Sequence, residues 1–239
     1  MKRVALLSDV HANPLALEAV WADAVAQGVE RFICLGDIVD IGPEPSATVA
    51  QIKERCEGVI GGNHDALDEA PTLPFLADIE RWTREQLAPA DMAWLEALPG
   101  TLRVDLEGHD LLCVHGSPVS DTEEINAATD EATLTRWLDE HPCELLVAGH
   151  THVQLLRRVG HRTVVNVGSV GMPFASPAAA GPPVVMPWAE YAIISSRAAA
   201  SSISVDLRRV AYDHDAFAKR TLASGMPHAE AFLSHFHPR

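Results

Sequence analysis

Val4-Ala5-Leu6-Leu7-Ser8-Asp9-Val10-His11 is a short apolar run broken by a carboxylate and, two residues later, an imidazole. Four apolar residues between polar neighbours read as a buried strand that ends at Ser8-Asp9. A helical pattern follows over residues 14–27, with Leu15, Ala19, Val20 and Ala24 on one side. The unit then repeats. Residues 31–35 form a second apolar run ending in Gly36-Asp37, a Pro/Gly loop intervenes, and a helix is predicted over 46–55 with Ser46 as its N-cap. A third strand over 58–60 runs into Gly61-Gly62-Asn63-His64-Asp65. The first 65 residues therefore read as βαβαβ, an α/β arrangement whose parallel sheet is covered by helices.

Further along, residues 74–99 turn helical, with a break at Pro89-Ala90-Asp91. Strands over 102–106 and 110–114 flank Glu107-Gly108-His109 as a hairpin, and the second ends at His115. A helix over 130–140, a strand over 144–148 ending at Gly149-His150, and a hairpin of 153–159 with 163–167 follow. Residues 173–187, rich in Pro and Ala, carry no periodicity and read as an ordered loop or flap. A last hairpin (191–196 with 202–208) and a helix over 213–223 are too little chain for a second core. One domain over residues 1–239 is expected, with a helical insert at about 71–99.

The chain has 239 residues, 47% hydrophobic and 21% charged, enough to bury a core without staples. Its net charge of −15 disfavours nucleic-acid backbones and anionic membranes. Cys34, Cys56, Cys113 and Cys143 are far apart and form no C-x-x-C pair, so they read as buried thiols. The apolar run near the N-terminus is too short for a signal peptide, and no ~18-residue apolar stretch suggests a membrane span, so a cytoplasmic protein is expected.

Five apolar runs end in residues able to bind metal: Asp9-x-His11, Gly36-Asp37, Gly62-Asn63-His64-Asp65, His115-Gly116 and Gly149-His150-x-His152. In open α/β sheets ligands gather beyond the carboxyl ends of strands, so side chains more than 140 positions apart can share one crevice. The i, i+2 pairs Asp9/His11 and His150/His152 would point to one side if the chain there is extended. Carboxylate, imidazole and amide donors without thiolate suit Mn²⁺, Fe, Zn²⁺ or Ni²⁺ better than a structural Cys-type zinc. Seven ligands exceed one ion, whereas two ions ~3.5–4 Å apart would clamp both oxygens of a phosphoryl displacement. Hydrolysis of a phosphate ester is the reaction such a set suits.

These five blocks resemble those of the calcineurin-like metallophosphoesterase superfamily. The similarity runs on through Gly42-Pro43-x-Pro45, residues 82–87 and Asn166-Val167-Gly168-Ser169-Val170-Gly171, so the first 175 or so residues resemble the small bacterial phosphodiesterase branch. The resemblance implies a four-layer αββα sandwich of two packed mixed sheets. It places Asp9, His11 and His152 on one divalent ion, Asn63, His115 and His150 on the other, and Asp37 on both, with Mn²⁺ the leading pair. It also implies in-line attack by a metal-bridging hydroxide, with His64 as the general acid and Asp40 as its carboxylate partner.

Where protein phosphatases and diadenosine-tetraphosphate hydrolases usually continue with Arg-Gly, this chain has Ile41-Gly42 after Asp40, so the arginine clamp for a dianionic phosphate is missing. That favours a small phosphodiester over the alternatives, a phosphomonoester or a nucleotide or protein phosphatase substrate. A non-catalytic interaction module on the same fold, as in the retromer subunit that resembles this superfamily, is disfavoured because every ligand is present. A DNA nuclease would need a basic track that the composition lacks. His109, His141, His161, His214, His228, His235 and His237 read as surface residues, and Trp82 and Trp94 as core or interface anchors that, if exposed, would mark a surface for association into a homo-oligomer.

Overall fold

Two five-stranded mixed sheets organise the chain in the computed structural model, which describes residues 2–67, 74–177, 183–196 and 203–237. The first sheet contains β1 (Lys2–Leu7), β2 (Arg31–Cys34), β3 (Gly58–Val59), β9 (Ala189–Ser196) and β10 (Ser204–Val210), in the order β10-β9-β1-β2-β3. The second contains β4 (Thr101–Leu106), β5 (His109–Val114), β6 (Leu145–Ala148), β7 (Leu155–Val159) and β8 (Arg162–Asn166), in the order β4-β5-β6-β8-β7. The helices are α1 (Pro14–Ala26), α2 (Pro45–Arg55), α3 (Pro74–Gln86), α4 (Pro89–Glu96), α5 (Glu131–Glu140), α6 (His214–Ala223) and α7 (Ala229–Leu233).

Strand alternation builds the layers. Val4 and Leu6 of β1 face the second sheet, where they share an apolar cluster with Leu111, Cys113, Leu145 and Val147. Ala5 and Leu7 point the other way, into a cluster with Leu17 and Val20 of α1 and Val49 and Ile52 of α2. On the far side, Leu112, Leu146 and Ala148 meet Leu134, Trp137 and Leu138 of α5. Each inner strand is thus apolar on both faces, and helices cover both outer faces, which is the αββα sandwich expected.

The βαβαβ start is confirmed: β1 pairs with β2, and β2 with β3, in parallel. β9 then pairs antiparallel along the free edge of β1, so the last 50 residues complete the first sheet. Local differences have local causes. Ser46 lies inside α2, whose N-cap is Glu44, and its hydroxyl donates to Gln86 O (2.6 Å). The expected break between two helices is present, between α3 and α4, and Pro89 opens the second of them, since proline suits a first helical position. The β4–β5 turn holds only Glu107 and Gly108, both with positive φ, as tight hairpins require. α7 was not foreseen: it is five residues long and has no side-chain cap. Residues 71–73 of the insert, 178–182 of the Pro/Ala-rich stretch and Ser202 of the last hairpin lie outside the described residues. All four cysteines are free; three are buried and Cys56 is half-buried. Among the described residues no helix is long and apolar enough to cross a membrane.

One polar clamp ties α1 to the added strands. Asp23 accepts hydrogen bonds from the Tyr191 hydroxyl (2.7 Å) and from Arg208 Nε (2.6 Å) and Nη2 (3.0 Å). The Arg208 bond, against a smaller burial effect, holds the Asp23 pKa below its usual value. A carboxylate depressed on folding stabilises above its unfolded pKa and loses that contribution as pH falls through the folded one. Asp23→Ala is therefore expected to cost about 1–3 kcal/mol at pH 7. Urea unfolding of variant and wild type should show the gap narrowing at acidic pH.

Candidate metal centre

The carboxyl ends of β1 and β2 run on as two loops joined backbone to backbone. The N–H groups of Asp9, His11 and Ala12 donate to the carbonyls of Gly36, Asp37 and Ile38, each at 3.0 Å. The chain is not extended here, which corrects the i, i+2 reading. Asp9, His11, Ala12, Asp37, Asp40, Ile41, His150 and His152 all have φ between 46° and 65°, in the left-handed region. Such a conformation costs a non-glycine residue on the order of 1–3 kcal/mol and persists where surrounding structure over-determines it. Sharp left-handed bends, rather than strand alternation, turn these side chains to a common point.

Asp9, His11, Asp37 and His152 bring ligand atoms within 4.8 Å of one another, and so do Asp37, His115 and His150. Asp37 belongs to both groups. Asn63 joins the second, its Oδ1 3.2 Å from His115 Nε2. All seven sequence-selected ligand candidates therefore meet in one place. Three imidazoles are oriented from behind: Nδ1 of His11 donates to Asp40 O (3.2 Å), of His115 to Leu35 O (2.8 Å) and of His152 to Met172 O (2.7 Å). With Nδ1 engaged, the neutral ring presents the Nε2 lone pair inward, the form a metal requires.

Charge balance tests whether a cation fits. Asp9 and Asp37 are buried, and Asp9 Oδ1 and Asp37 Oδ2 have no hydrogen-bond partner. Two unpaired buried carboxylate oxygens are costly unless positive charge stands beside them. His11 Nε2 lies 3.1 Å from His152 Nε2, and His152 Nε2 lies 3.2 Å from Asp9 Oδ1. Where no cation stands between them, the carboxylates act on the rings instead: burial opposes charge on His115, but Asp37 outweighs it, draws a proton to the ring and raises its pKa to about 10. Burial also works against ionised Asp9, yet His152 and His115 bring its pKa down to about 2. For His11, burial and His152 lower the pKa to about 3. Lone pairs converging on orphaned carboxylate oxygens are what divalent cations would satisfy, so the donor set fits.

His64 stands at the open side with 27% of its side chain exposed, and its Nδ1 lies 2.8 Å from Asp40 Oδ2. Burial disfavours its charged form, but Asp37 and the Asp40 hydrogen bond prevail and lift its pKa to about 9. The ring is therefore an imidazolium at neutral pH in this setting. Asp40 is buried and also lies 3.5 Å from the Thr83 hydroxyl of α3.

Asp65 has a role the sequence reading did not assign. Its Oδ1 accepts from the N–H of Ile38 (2.8 Å) and Val39 (3.2 Å), and its Oδ2 from that of Gly62 (3.0 Å). It ties the Asp37 loop to the Asn63 loop. Its place after Asn63-His64 was the only available signal. Burial and Asp37 push its pKa up to about 7.

Close backbone approach explains the glycines. A Cβ on Gly62 would lie 2.2 Å from Asp37 Oδ1 and 2.8 Å from His115 Cε1. Gly62→Ala should thus displace two ligands without touching the core, and metal affinity should fall on the order of 10–100-fold, as when the support of a ligand is lost. A metal titration followed by calorimetry checks this.

Of the other histidines, His109 is buried against expectation, because its Nδ1 meets Glu144 Oε2 at 2.7 Å. His228 is exposed and paired with Asp78 Oδ2 at 3.0 Å, while His235 Nδ1 donates to Pro183 O at 3.2 Å. Trp82 and Trp94 pack partly buried on the helix-side core, as anchors.

Comparison with known proteins agrees with this geometry. A structure of a metallophosphoesterase from Sphaerobacter thermophilus superposes with a TM-score of 0.78, at 29% identity over 98% of both chains. A hypothetical protein from Pyrococcus horikoshii gives 0.81 at 22% identity, over 99% of this chain and 98% of that one, a likeness of fold. An uncharacterised protein of Methanocaldococcus jannaschii is 27% identical over 195 residues, covering 71% of this chain and 76% of the relative. The family model of the calcineurin-like phosphoesterase superfamily domain matches residues 1–182, three quarters of the sequence, and the chain belongs to that superfamily.

Proposed function

We propose that this protein is a dinuclear phosphodiesterase. The observation that carries the reading is Asp37, one carboxylate common to two adjoining groups of metal-capable side chains. Asp9, His11 and His152 would hold one ion, Asn63, His115 and His150 the other, and Asp37 both. This mixed imidazole, carboxylate and amide set suits Mn²⁺, with Fe, Zn²⁺ or Ni²⁺ as substitutes. Two bound divalent ions would neutralise the phosphoryl oxygens and lower the pKa of water enough to make it a nucleophile near neutral pH.

The chain supplies the rest. His64, charged and exposed toward the site, donates its proton to the leaving oxygen. Asp40 holds the ring through Nδ1, so Nε2 is the nitrogen free to do so. Residues 9–13, 36–42, 61–67 and 149–152 contain no Arg or Lys, so within these loops positive charge would come from the ions and His64. A diester, with a single negative charge, asks less of such a site than a dianionic monoester.

The test is a metal count on purified protein, followed by turnover of a chromogenic diester and the matching monoester with Mn²⁺. About two ions per chain and faster diester turnover support the reading. One ion per chain rejects the dinuclear centre, and faster monoester turnover rejects the diester preference.

A further inference from the structure

Beside the metal centre lies an apolar cavity of about 510 Å³, walled by Ile41, Leu76, Ile79, Met172, Phe174 and Phe232 among others. We propose that it binds an apolar ester group of the substrate, so that the preferred diester carries an alkyl or aryl substituent rather than a nucleoside or sugar. The inference rests on the phosphodiesterase reading and deepens it.

Three features join the cavity to the chemistry. Phe174 stacks on the His152 ring (centroids 4.3 Å apart, 27° between planes), so one wall of the cavity rests against a metal-capable side chain. Met172 lines the cavity while its carbonyl accepts from His152 Nδ1. On α3, Phe75, Ile79 and Thr83 recur every four residues along one face. The first two line the cavity, and the third approaches the carboxylate that holds His64. A group seated there thus lies one side chain from the metal-capable cluster, across Phe174, and against Ile41, the residue that follows the carboxylate holding His64.

The lining excludes polar alternatives. Its two imidazoles are engaged elsewhere, His228 with Asp78 and His235 with the Pro183 carbonyl. A nucleobase or sugar would lose hydrogen bonds to water and regain few here. The volume lies within the range of small-molecule sites, and apolar walls beside a few convergent polar groups are the usual make-up of such sites.

The test uses full-length, Mn²⁺-loaded protein and p-nitrophenyl phosphodiesters whose second alcohol is methanol, butanol or octanol, so the leaving group stays constant. kcat/KM is expected to rise at least tenfold from methyl to octyl, and the octyl-to-methyl ratio to collapse in Ala231→Trp and in Leu76→Gln, both altering the lining. A second readout is independent of turnover: calorimetric binding of octylphosphonate against methylphosphonate, with the octyl advantage lost in both variants. If no ester is hydrolysed yet octylphosphonate binds preferentially and the variants abolish this, the phosphodiesterase reading fails and the cavity assignment stands. If esters are hydrolysed without chain-length preference, or the preference survives both substitutions, the cavity assignment is overturned and the phosphodiesterase reading stands.

Discussion

Asp37→Ala is expected to reduce the metal content from two ions per chain to at most one, and to lower turnover by at least on the order of 10²–10³-fold. Among the described residues no other side chain belongs to both metal-capable groups, so Asp37 is the one position whose side chain would contact both ions. The loss should also show in stability. Metals that bind only the folded state raise its melting temperature by mass action, and that rise should shrink markedly in the variant. Elemental analysis, together with thermal unfolding in chelator and in Mn²⁺, checks both effects. Two ions retained per chain would show that Asp37 does not bridge.

His64→Ala should behave differently. Its ring belongs to neither metal-capable group and reaches solvent, so the metal count should stay at two while kcat falls by roughly 10²–10⁴, the usual worth of a general acid. The deficit should be smallest for a nitrophenolate leaving group, which departs without protonation, and largest for an alkoxide. Asp40→Asn, which leaves the imidazole in place but replaces its ionic partner, should give a smaller loss with the same dependence on leaving group. Equal deficits across leaving groups would argue for a role of His64 in binding rather than proton transfer.

The separation of these two effects follows from how the site is built. Asp9, His11 and Asp37 are buried and over-determined by backbone pairing between the loops after β1 and β2. Asn63, His64 and His150 form the less buried rim, the side a substrate would meet first. Rigid ligands and an accessible acid on one edge are what a hydrolytic centre of this type needs, since positioning must precede proton transfer.

Much of this was legible in the order of residues. Apolar runs such as residues 4–7 and 31–35 announced buried parallel strands, and the polar residues after each run stood where strand ends can gather a ligand. Asp9, His11, Asp37, Asn63, His115, His150 and His152 could be chosen on that ground without coordinates. The way they meet was not legible. The extended pairs expected at 9–11 and 150–152 are left-handed bends, because pairing between loops far apart in sequence overrides the local preference of non-glycine residues. Asp65 looked like one more acid, since its work is to accept three backbone N–H groups from two loops, and hydrogen bonds of that range leave no periodic trace. The apolar cavity draws on α3, α7 and Met172, Phe174, Pro183 and Val185, whose sequence there carries no chemical motif. Sequence by itself determined which atoms could bind metal and that each lies just past the end of a strand, since strand pattern and side-chain chemistry are local properties. Only the tertiary structure decided their approach angles, their buried charge and the shape of the neighbouring cavity, because those arise from packing between segments distant in the chain.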